Sequence, residues 1–437
     1  MLKYGRHINL CGSLKHTDEE NGGETQKETQ KENKSENKGE EETGSNESII
    51  KEGEKVMTEQ IDIGNIYYNN IYNFFKINQK NFNKIGIKNT PSTIQIFIDN
   101  PLNLGNKDIS KLINIDNIKK IRSFVRKNNI NLFVHSSYLT RLTYENSNKS
   151  ISSLLGELKS AYLLMSKGVV VHCGSKRTKG GVIIKKKEAL DNLIKNASEV
   201  INKFCTMLIS NLLKNKSGNS LIINKDQIIN NTKNINKIND IFESKINNIK
   251  LPKLLFEISA GSGLEIGKKI KDLIYIIDGI KKNICNYSNR KRKLCENMFG
   301  ICLDTCHMFQ YGYNLSTKKG VDSVFSEFGE YTKYINLIHL NDTAYPIGQH
   351  KDVHQSIGCG YITKKNKGSF DGFRELLSEA INNNISIILE TQSRNCDNNL
   401  LIAENLARNS KFDSELLVVY LLTTKNNKLL YKNIDYC

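Results

Sequence analysis

The sequence lacks both the cysteine spacing of a structural zinc site and any hydrophobic segment long enough for a membrane. Its ten cysteines include no pair separated by two residues and show no regular spacing. This argues against a zinc ribbon or a disulfide framework and favours a reducing compartment. No hydrophobic leader precedes them, and the longest apolar run near the C-terminus, Leu416 to Leu422, is too short to cross a bilayer. We expect a soluble intracellular protein of the nucleus or cytoplasm, with an organelle or a viral replication site left open.

Acidic residues are in deficit. The chain has 46 of them against 63 lysines and arginines, a formal net charge of +17. Such a charge favours an acidic partner, and for a soluble protein this is usually nucleic acid. The alternative is a coding bias, because lysine and asparagine are frequent throughout. The basic run from Asn289 to Lys293 fits a nuclear address, although such runs are more often solvated loops.

Two segments are poor in the side chains that build a core. Residues 15–60 are nearly free of apolar side chains, so we expect a disordered charged insertion. Residues 214–250 are rich in Asn, Lys and Ile and are predicted to form a loop expansion with room for one helix. We therefore expect the first strand in residues 1–14, the rest of the domain in residues 61–400, and a C-terminal extension in residues 401–437.

Apolar runs of strand length alternate with helical stretches along the chain. Two runs come first, Tyr4 to Leu10 and Thr93 to Ile98. Six further runs end in a metal-ligand type: Leu132 to His135, Val169 to His172, Leu254 to Glu257, Ile301 to Asp304, Leu337 to His339 and Ile387 to Glu390. Apolar spacings of three and four predict helices at Ile61 to Phe82, Ser152 to Met165, Lys187 to Leu213, Ile270 to Lys281 and Phe370 to Asn382. Eight strands alternating with helices predict an α/β fold, a (β/α)8 TIM barrel with low-complexity insertions.

Nine potential metal ligands lie at or close behind these strand ends. They are His135, His172, Glu257, Asp304, His307, His339, Asp352, His354 and Glu390. A lone residue of this kind is usually a buried structural group, a helix cap or an ion-pair partner. Six strands that all end this way are better explained by one site, because the C-terminal strand ends of a barrel share a face. Imidazoles and carboxylates without thiolates indicate catalytic zinc, manganese or iron, and nine ligands indicate two or three ions that share a carboxylate.

Seven sequence blocks resemble the endonuclease IV family of abasic-site endonucleases. They are HSSYL (His135 to Leu139), HCGS (His172 to Ser175), FEISAGSG (Phe256 to Gly263), LDTCHMFQYGY (Leu303 to Tyr313), IHLND (Ile338 to Asp342), KDVHQSIGCG (Lys351 to Gly360) and ILET (Ile388 to Thr391). The N-terminal KYGRHINLCGSL also looks like the family's opening strand. The resemblance thus runs to about residue 400, interrupted by the two insertions, and its blocks follow one another in the family's order.

The resemblance implies three Zn²⁺ ions, with Mn²⁺ as an alternative at one or more sites. Three ligand sets are implied: His135, His172 and Glu257 for the first ion, Glu257, Asp304, His339 and Glu390 for the second, and His307, Asp352 and His354 for the third. Glu257, which would bridge two ions, is the residue the resemblance makes catalytic. A phosphodiester between such cations has its charge neutralised while an activated water attacks in line.

The implied activity is that of a deoxyribonuclease IV type enzyme of base excision repair. It hydrolyses the phosphodiester 5′ to an abasic site, leaving 3′-OH and 5′-deoxyribose phosphate, and also removes 3′-phosphates and 3′-phosphodiesters. The implied partner is double-stranded DNA with abasic sites or blocked 3′ ends, and we expect a monomer to bind it. Tyr138 and Leu139 match the family positions that push into DNA at the lesion. For Tyr138 the alternative is ordinary packing over the barrel mouth.

Five positions depart from the family pattern without removing a ligand. Leu102 stands where an arginine is common, Cys173 replaces a proline, Ala344 a lysine, Val353 an arginine and Cys359 an acid. We expect these changes to affect the orientation of ligands or contacts to phosphate.

Two other functional classes compete with the endonuclease. A sugar isomerase or epimerase on a related two-metal barrel needs neither a basic surface nor a third ligand set, and Asp352 and His354 argue against it. A nucleic-acid-binding or structural protein with an inactive barrel is disfavoured by the intact ligand set.

Overall fold

Eight parallel strands of the computed structural model hydrogen-bond in a closed ring. The structure describes residues 2–8, 63–84, 86–105, 107–214, 250–364, 370–391 and 414–423. The strands are β1 (Lys3–His7), β2 (Thr93–Phe97), β3 (Asn131–His135), β4 (Gly168–His172), β5 (Lys253–Glu257), β6 (Phe299–Asp304), β7 (Ile335–His339), the antiparallel pair β8 (Asp342–Thr343) and β9 (His354–Gln355), and β10 (Ser386–Leu389). Around the ring the strand order is β1-β10-β7-β6-β5-β4-β3-β2, which confirms the predicted TIM barrel.

Helices surround this ring and connect its strands. They are α1 (Ile63–Lys84), α2 (Ile115–Lys127), α3 (Asn148–Leu163), α4 (Lys186–Lys214), α5 (Ile270–Cys285), α6 (Asn289–Cys295), α7 (Thr305–Tyr311), α8 (Lys318–Phe328), α9 (Tyr361–Lys364), α10 (Asp371–Asn382) and α11 (Ser414–Leu422). The five predicted helices are confirmed as α1, α3, α4, α5 and α10, with small shifts of their ends. The others were not predicted. Helices α7 and α9 are short, whereas α2 and α8 carry buried apolar residues three and four apart and were missed.

Two local predictions were wrong. The first strand was expected from Tyr4 to Leu10 but ends at His7, because its pairing with β2 ends there. The basic run from Asn289 is helix α6 and not a solvated loop. Leu294 and Cys295 at the end of α6 are buried against α4, which gives this helix the apolar side that the basic residues obscured.

The C-terminal apolar run belongs to α11, whose side chains at Leu416, Val418, Val419, Leu421 and Leu422 are buried. This helix contacts β1 and α10. Within the described part of the chain, no helix combines the length and the apolar character that crossing a membrane requires. Residues 15–60, 215–249, 401–413 and 424–437 lie outside the described residues, so the predictions made for them stay predictions.

The barrel interior is layered by the alternation of side chains along each strand. A middle layer is apolar and consists of Phe133, Val170, Leu255, Cys302, Leu337 and Ile388. Two residues further along the same strands come His135, His172, Glu257, Asp304, His339 and Glu390. Because alternate residues of a strand share a face, these six side chains lie above an apolar floor at the C-terminal end of the barrel.

Candidate metal centre

All nine predicted ligands meet at the C-terminal mouth of the barrel. Six come from strand ends, His307 comes from the first turn of α7, and Asp352 and His354 come from the segment that ends in β9. The cavity there has a volume of about 270 Å³. Asp304 and His339 lie beneath it and are fully buried.

The ligand atoms fall into groups whose members all lie within 4.8 Å of one another. Three groups match the implied ligand sets: His135, His172 and Glu257; Glu257, Asp304, His339 and Glu390; and His307, Asp352 and His354. Glu257 is shared by the first two. The geometry can therefore hold several divalent cations, while the roles of these residues as ligands remain a prediction.

Glu257 directs one carboxylate oxygen toward each of its two groups. Its Oε1 lies 2.8 Å from His339 Nδ1, and its Oε2 lies 3.1 Å from His172 Nε2 and 3.5 Å from His135 Nε2. Burial alone would raise the pKa of Glu257, but His339 and His172 hold it well below its ordinary value. Glu257 is thus an ionised carboxylate in a bridging position.

Backbone carbonyls fix the tautomers of two imidazoles. The Nδ1 atom of His135 lies 2.9 Å from the Ser136 carbonyl, and that of His307 lies 2.8 Å from the Ile258 carbonyl. A carbonyl oxygen only accepts, so each Nδ1 must donate, which leaves the Nε2 lone pair facing the cavity.

Three buried atoms of the site lack a hydrogen-bond partner: Glu257 Oε2, His307 Nε2 and His354 Nε2. All three are lone-pair carriers that face other lone-pair carriers; His307 Nε2, for example, lies 3.0 Å from Asp352 Oδ1. Such an arrangement is unfavourable unless a proton or a cation lies between the atoms. The residues present therefore fit a set of divalent cations.

Gln95 was not predicted as part of the site, yet its buried amide contacts three of the surrounding side chains. Its Oε1 accepts from His339 Nε2 (2.9 Å), which leaves His339 Nδ1 to face Glu257 and Glu390. Its Nε2 donates to Glu390 Oε1 (3.0 Å) and to His7 Nδ1 (2.9 Å). A glutamine at an inward position of an apolar strand was the one signal that the sequence offered.

The IHLND block contributes orientation and not only a ligand. Asn341 Nδ2 donates to Asp304 Oδ2 (2.8 Å) and to Glu390 Oε2 (3.3 Å). The carboxylate of the next residue, Asp342, points away from the centre and accepts from the backbone amides of Gly358, Gly360 and Ile362. Asp342 thereby anchors the turn that follows β9.

Protons and cations compete for the same imidazoles. Burial alone would lower the pKa of His354, but Asp304, Asp352 and Glu390 raise it to about 9. Burial likewise opposes protonation of His339, yet its neighbours, Cys302 and the carboxylates of Glu390 and Glu257, raise its pKa well above the ordinary value. We expect metal affinity to decrease as the pH is lowered, because these imidazoles then gain protons.

Cysteines and a further histidine also border the centre. The Sγ atom of Cys302 groups with Glu257 and His339, and that of Cys306 with Asp304 and His354. Burial raises the pKa of both thiols to about 12, so both are protonated near neutral pH. His7 lines the cavity, and burial lowers its pKa to about 3, which keeps it neutral.

The predicted DNA-contacting residues stand at the rim. Tyr138 is 42% exposed and Leu139 41% exposed. The Tyr138 ring packs edge-on against Phe97 (5.3 Å between centroids) and His135 (5.5 Å), so it covers the mouth and also faces solvent. Leu102, which departs from the family pattern, is 67% exposed on the neighbouring loop.

Of the remaining departures, Cys173 has a structural explanation. Cys173 is fully buried, and its Sγ donates to the Glu257 carbonyl (3.3 Å). Gly267, with a φ of +75°, leaves it space, since a Cβ there would collide with the Cys173 side chain. The Ala344 amide donates to the Val353 carbonyl (3.1 Å) and so extends the pairing of β8 with β9, a backbone bond that leaves both substitutions without a structural explanation.

Comparison with known proteins identifies the family. The profile of the family described as "Xylose isomerase-like TIM barrel" matches residues 92–411. "Probable endonuclease 4" of Halothermothrix orenii is 28% identical over 306 residues, 69% of this chain and 84% of that protein. "Apurinic-apyrimidinic endonuclease 1" of Saccharomyces cerevisiae is 32% identical over 177 residues, 39% of this chain and less than half (42%) of the yeast protein.

A solved structure, "The crystal structure of AsfvAP:AG", has the same fold, with a TM-score of 0.50 and 17% identity over 75% of this chain and 85% of that one. The family match extends over well more than half of the residues, so this chain belongs to the xylose isomerase-like TIM barrel family and, within it, to the endonuclease IV group that its seven sequence blocks predicted.

Proposed function

We propose that this protein is a zinc-dependent DNA repair endonuclease that hydrolyses the phosphodiester 5′ to abasic sites, leaving 3′-OH and 5′-deoxyribose phosphate. The observation that carries the proposal is the set of three ligand groups joined through Glu257 at the mouth of one cavity. The names of the relatives, endonuclease 4 and apurinic-apyrimidinic endonuclease, support it. So does the net charge of +17, which suits a polyanionic substrate.

The ligand chemistry favours three Zn²⁺ ions, with Mn²⁺ as an alternative at one or more positions. Imidazole and carboxylate ligands suit both metals. When bound, such cations neutralise charge on the phosphate oxygens and lower the pKa of water at the site. Gln95 and Asn341 orient the buried imidazole and carboxylates that would hold them.

The residues at the cavity mouth support the proposed choice of lesion. A cavity of about 270 Å³ suits one phosphate with its sugar. We infer that the target nucleotide leaves the duplex, which costs least where no base is stacked. Tyr138 and Leu139, exposed at the rim, would then fill the gap that remains in the duplex.

A two-metal sugar isomerase or epimerase is the competing function. The group of His307, Asp352 and His354 argues against it, because a two-metal site has no use for a third set. Metal content separates the two functions: about three zinc ions per chain are expected for the endonuclease and two of another metal for the isomerase.

The direct test is incision of a labelled duplex that carries one abasic analogue. The protein should cut 5′ to the lesion and leave 3′-OH, preincubation with a chelator should abolish the cut, and added Zn²⁺ should restore it. A second substrate with a 3′-phosphate end tests the 3′-phosphatase activity. Absence of incision by the metal-loaded protein, or incision unaffected by metal removal, would contradict the proposal.

Substitution of the bridging carboxylate tests the role of the centre. Glu257→Gln should lower incision by more than about 100-fold, because loss of a residue that only hydrogen-bonds to a metal ligand already lowers metal affinity or activity by about 10–100-fold. Binding to an abasic duplex should remain detectable, because DNA-binding proteins contact phosphates and sugars over a wider surface than one catalytic centre. The exposed Glu330→Gln is the matched control and should retain wild-type incision. Wild-type turnover in Glu257→Gln would remove the metal assignment.

A further inference from the structure

A second cavity, of about 480 Å³, lies at the opposite end of the barrel from the metal centre. The first residues of several strands line it, so it opens toward the N-terminal face. Five lysines contribute to its wall: Lys3, Lys167, Lys250, Lys253 and Lys293. The remaining lining residues are asparagines, one serine and a few apolar side chains; among the described residues that line it there is no carboxylate.

For three lysines of this basal cavity, the described part of the chain supplies no carboxylate partner. Lys3 Nζ donates to Asn384 Oδ1 (2.8 Å), and Lys253 Nζ donates to the side-chain oxygen of Asn336 (3.3 Å). Within the described ranges, neither of these lysines, nor Lys167, forms an ion pair with a carboxylate. Burial lowers the pKa of Lys167, and nearby Lys250 and Lys3 lower it further.

The cavity is physically separate from the metal centre. Asn131, Lys253 and Ser386 are the inward residues that come two positions before Phe133, Leu255 and Ile388 of the apolar layer. That layer separates the two sites: one side of it faces the basal cavity, and the other side faces the metal centre. A ligand in the basal cavity would therefore not touch the metal-binding residues.

We propose that the basal cavity binds a small anion that carries two or three phosphate groups. Its volume is within the range of roughly 300–1,000 Å³ typical of small-molecule sites. Several ammonium groups exceed the charge of one phosphate but match a chain of phosphates, whose oxygens would accept from the lysines and from the asparagine amides. A DNA duplex is too wide to enter a recess bounded by strand ends. Bound anion would relieve the mutual repulsion of the lysines, which otherwise costs stability.

Calorimetric titration of the metal-loaded full chain tests this site, with inorganic tripolyphosphate, adenosine triphosphate and orthophosphate as probes. One saturable site per chain is expected for the first two, with weaker binding of orthophosphate. A stronger response to adenosine triphosphate than to tripolyphosphate identifies a nucleotide as the ligand type; equal responses identify the phosphate chain itself.

Variants locate the binding. Lys253→Gln and Lys167→Gln should each weaken tripolyphosphate binding by about tenfold or more, which corresponds to loss of one charge-assisted contact. Lys167 keeps a solvent-exposed surface although the recess partly desolvates its ammonium group, so its variant is not expected to disturb folding. Lys319→Gln, which removes the same charge from an exposed position of α8, should bind like the wild type.

Several results would overturn the proposal. These are no saturable binding at millimolar probe, an equal loss in Lys319→Gln, or unchanged binding in both cavity variants together with a loss in Asp352→Asn, which would place the anion at the metal centre. A loss of DNA binding alone in the cavity variants, without any binding of the small probes, would reassign the surface to nucleic acid.

Discussion

A single amide, that of Gln95, decides which nitrogen of His339 is free for a metal. Because Gln95 Oε1 accepts from His339 Nε2 while Gln95 Nε2 donates to Glu390, both partners are held in one orientation. A buried imidazole without this partner would lose its preferred tautomer, and the carboxylate would lose one of its donors.

Gln95→Ala should therefore lower metal affinity and abasic-site incision by about 10–100-fold. Titration of the metal-free variant with Zn²⁺, followed by an incision assay, measures both. Gln79→Ala, on the outer helix α1, is the control and should leave both unchanged. Full activity of Gln95→Ala with unaltered zinc affinity would show that the amide is only part of the packing.

At this scale the sequence predicted the residues that end strands and missed those that orient them. His135, Glu257 and Glu390 were recognisable because each follows an apolar run, and alternation along the strand then sets their direction. Asn341 and Asp342 are adjacent, yet one faces the centre and the other anchors a turn. That difference depends on contacts with residues distant in sequence, which no local pattern records.

Two loops at the rim act together because they share one carbonyl group. The Pro101 carbonyl accepts from the Tyr138 amide (3.0 Å) and from Ser137 Oγ (2.7 Å). Beneath them, the buried Glu157 of α3 accepts from the Ser137 amide (3.0 Å). These bonds hold the loop that carries Tyr138 against the loop that carries Leu102.

Glu157 makes the stability of these two rim loops depend on pH. Burial raises its pKa to about 8, and the Ser137 amide and Lys107 only partly oppose the rise. The folded state then holds a proton that the unfolded chain releases at its ordinary carboxyl pKa of 4.5. The contribution of Glu157 to stability is therefore present at low pH, declines between about pH 4.5 and 8, and is constant above that range.

Glu157→Gln imitates the protonated form of Glu157 and should remove the decline in stability that ionisation of this carboxyl causes. The free energy of unfolding of the variant minus that of the wild type, measured by urea denaturation, should increase from pH 5 to pH 8, because only the wild type loses the contribution of Glu157 over this range. Groups common to both proteins cancel in the comparison. Glu330→Gln should run parallel to wild type; a parallel course for Glu157→Gln as well would mean that the carboxyl is ionised throughout.

Elements were predicted best where one periodicity was long and strong. Helix α4 and strands β3 to β7 met that condition. The pair β8 and β9 did not, because two-residue strands have no period and depend on Asp342 and the following turn. Helix α6 was missed because its basic residues outnumber the buried Leu294 and Cys295.

The whole molecule was predictable because alternation of strands and helices allows few closed arrangements. The observed strand order confirms the predicted closed barrel of eight strands. What no alternation could predict is the contrast between the two ends of that ring, an anionic ligand layer at one and a lysine-lined cavity at the other. That contrast depends on the inward residues of strands that are far apart in the chain.

Residues 15–60 are expected to be dispensable for folding, since their composition offers no apolar surface to bury. A chain without them should keep its near-ultraviolet circular dichroism and a melting temperature within about 2 °C of the full chain, well below the shift expected from loss of a core element. Loss of the near-ultraviolet signal would show that the segment is structural.

We infer that carboxylates and imidazoles from separate strands enclose a cluster of cations. Elemental analysis of the purified chain, with Asp352→Asn as the matched variant, measures this cluster. We expect about three zinc ions per wild-type chain and a loss of about one in Asp352→Asn, because only the third ligand group contains this residue. A wild-type chain that carries no metal, or the same metal content in both proteins, would contradict it.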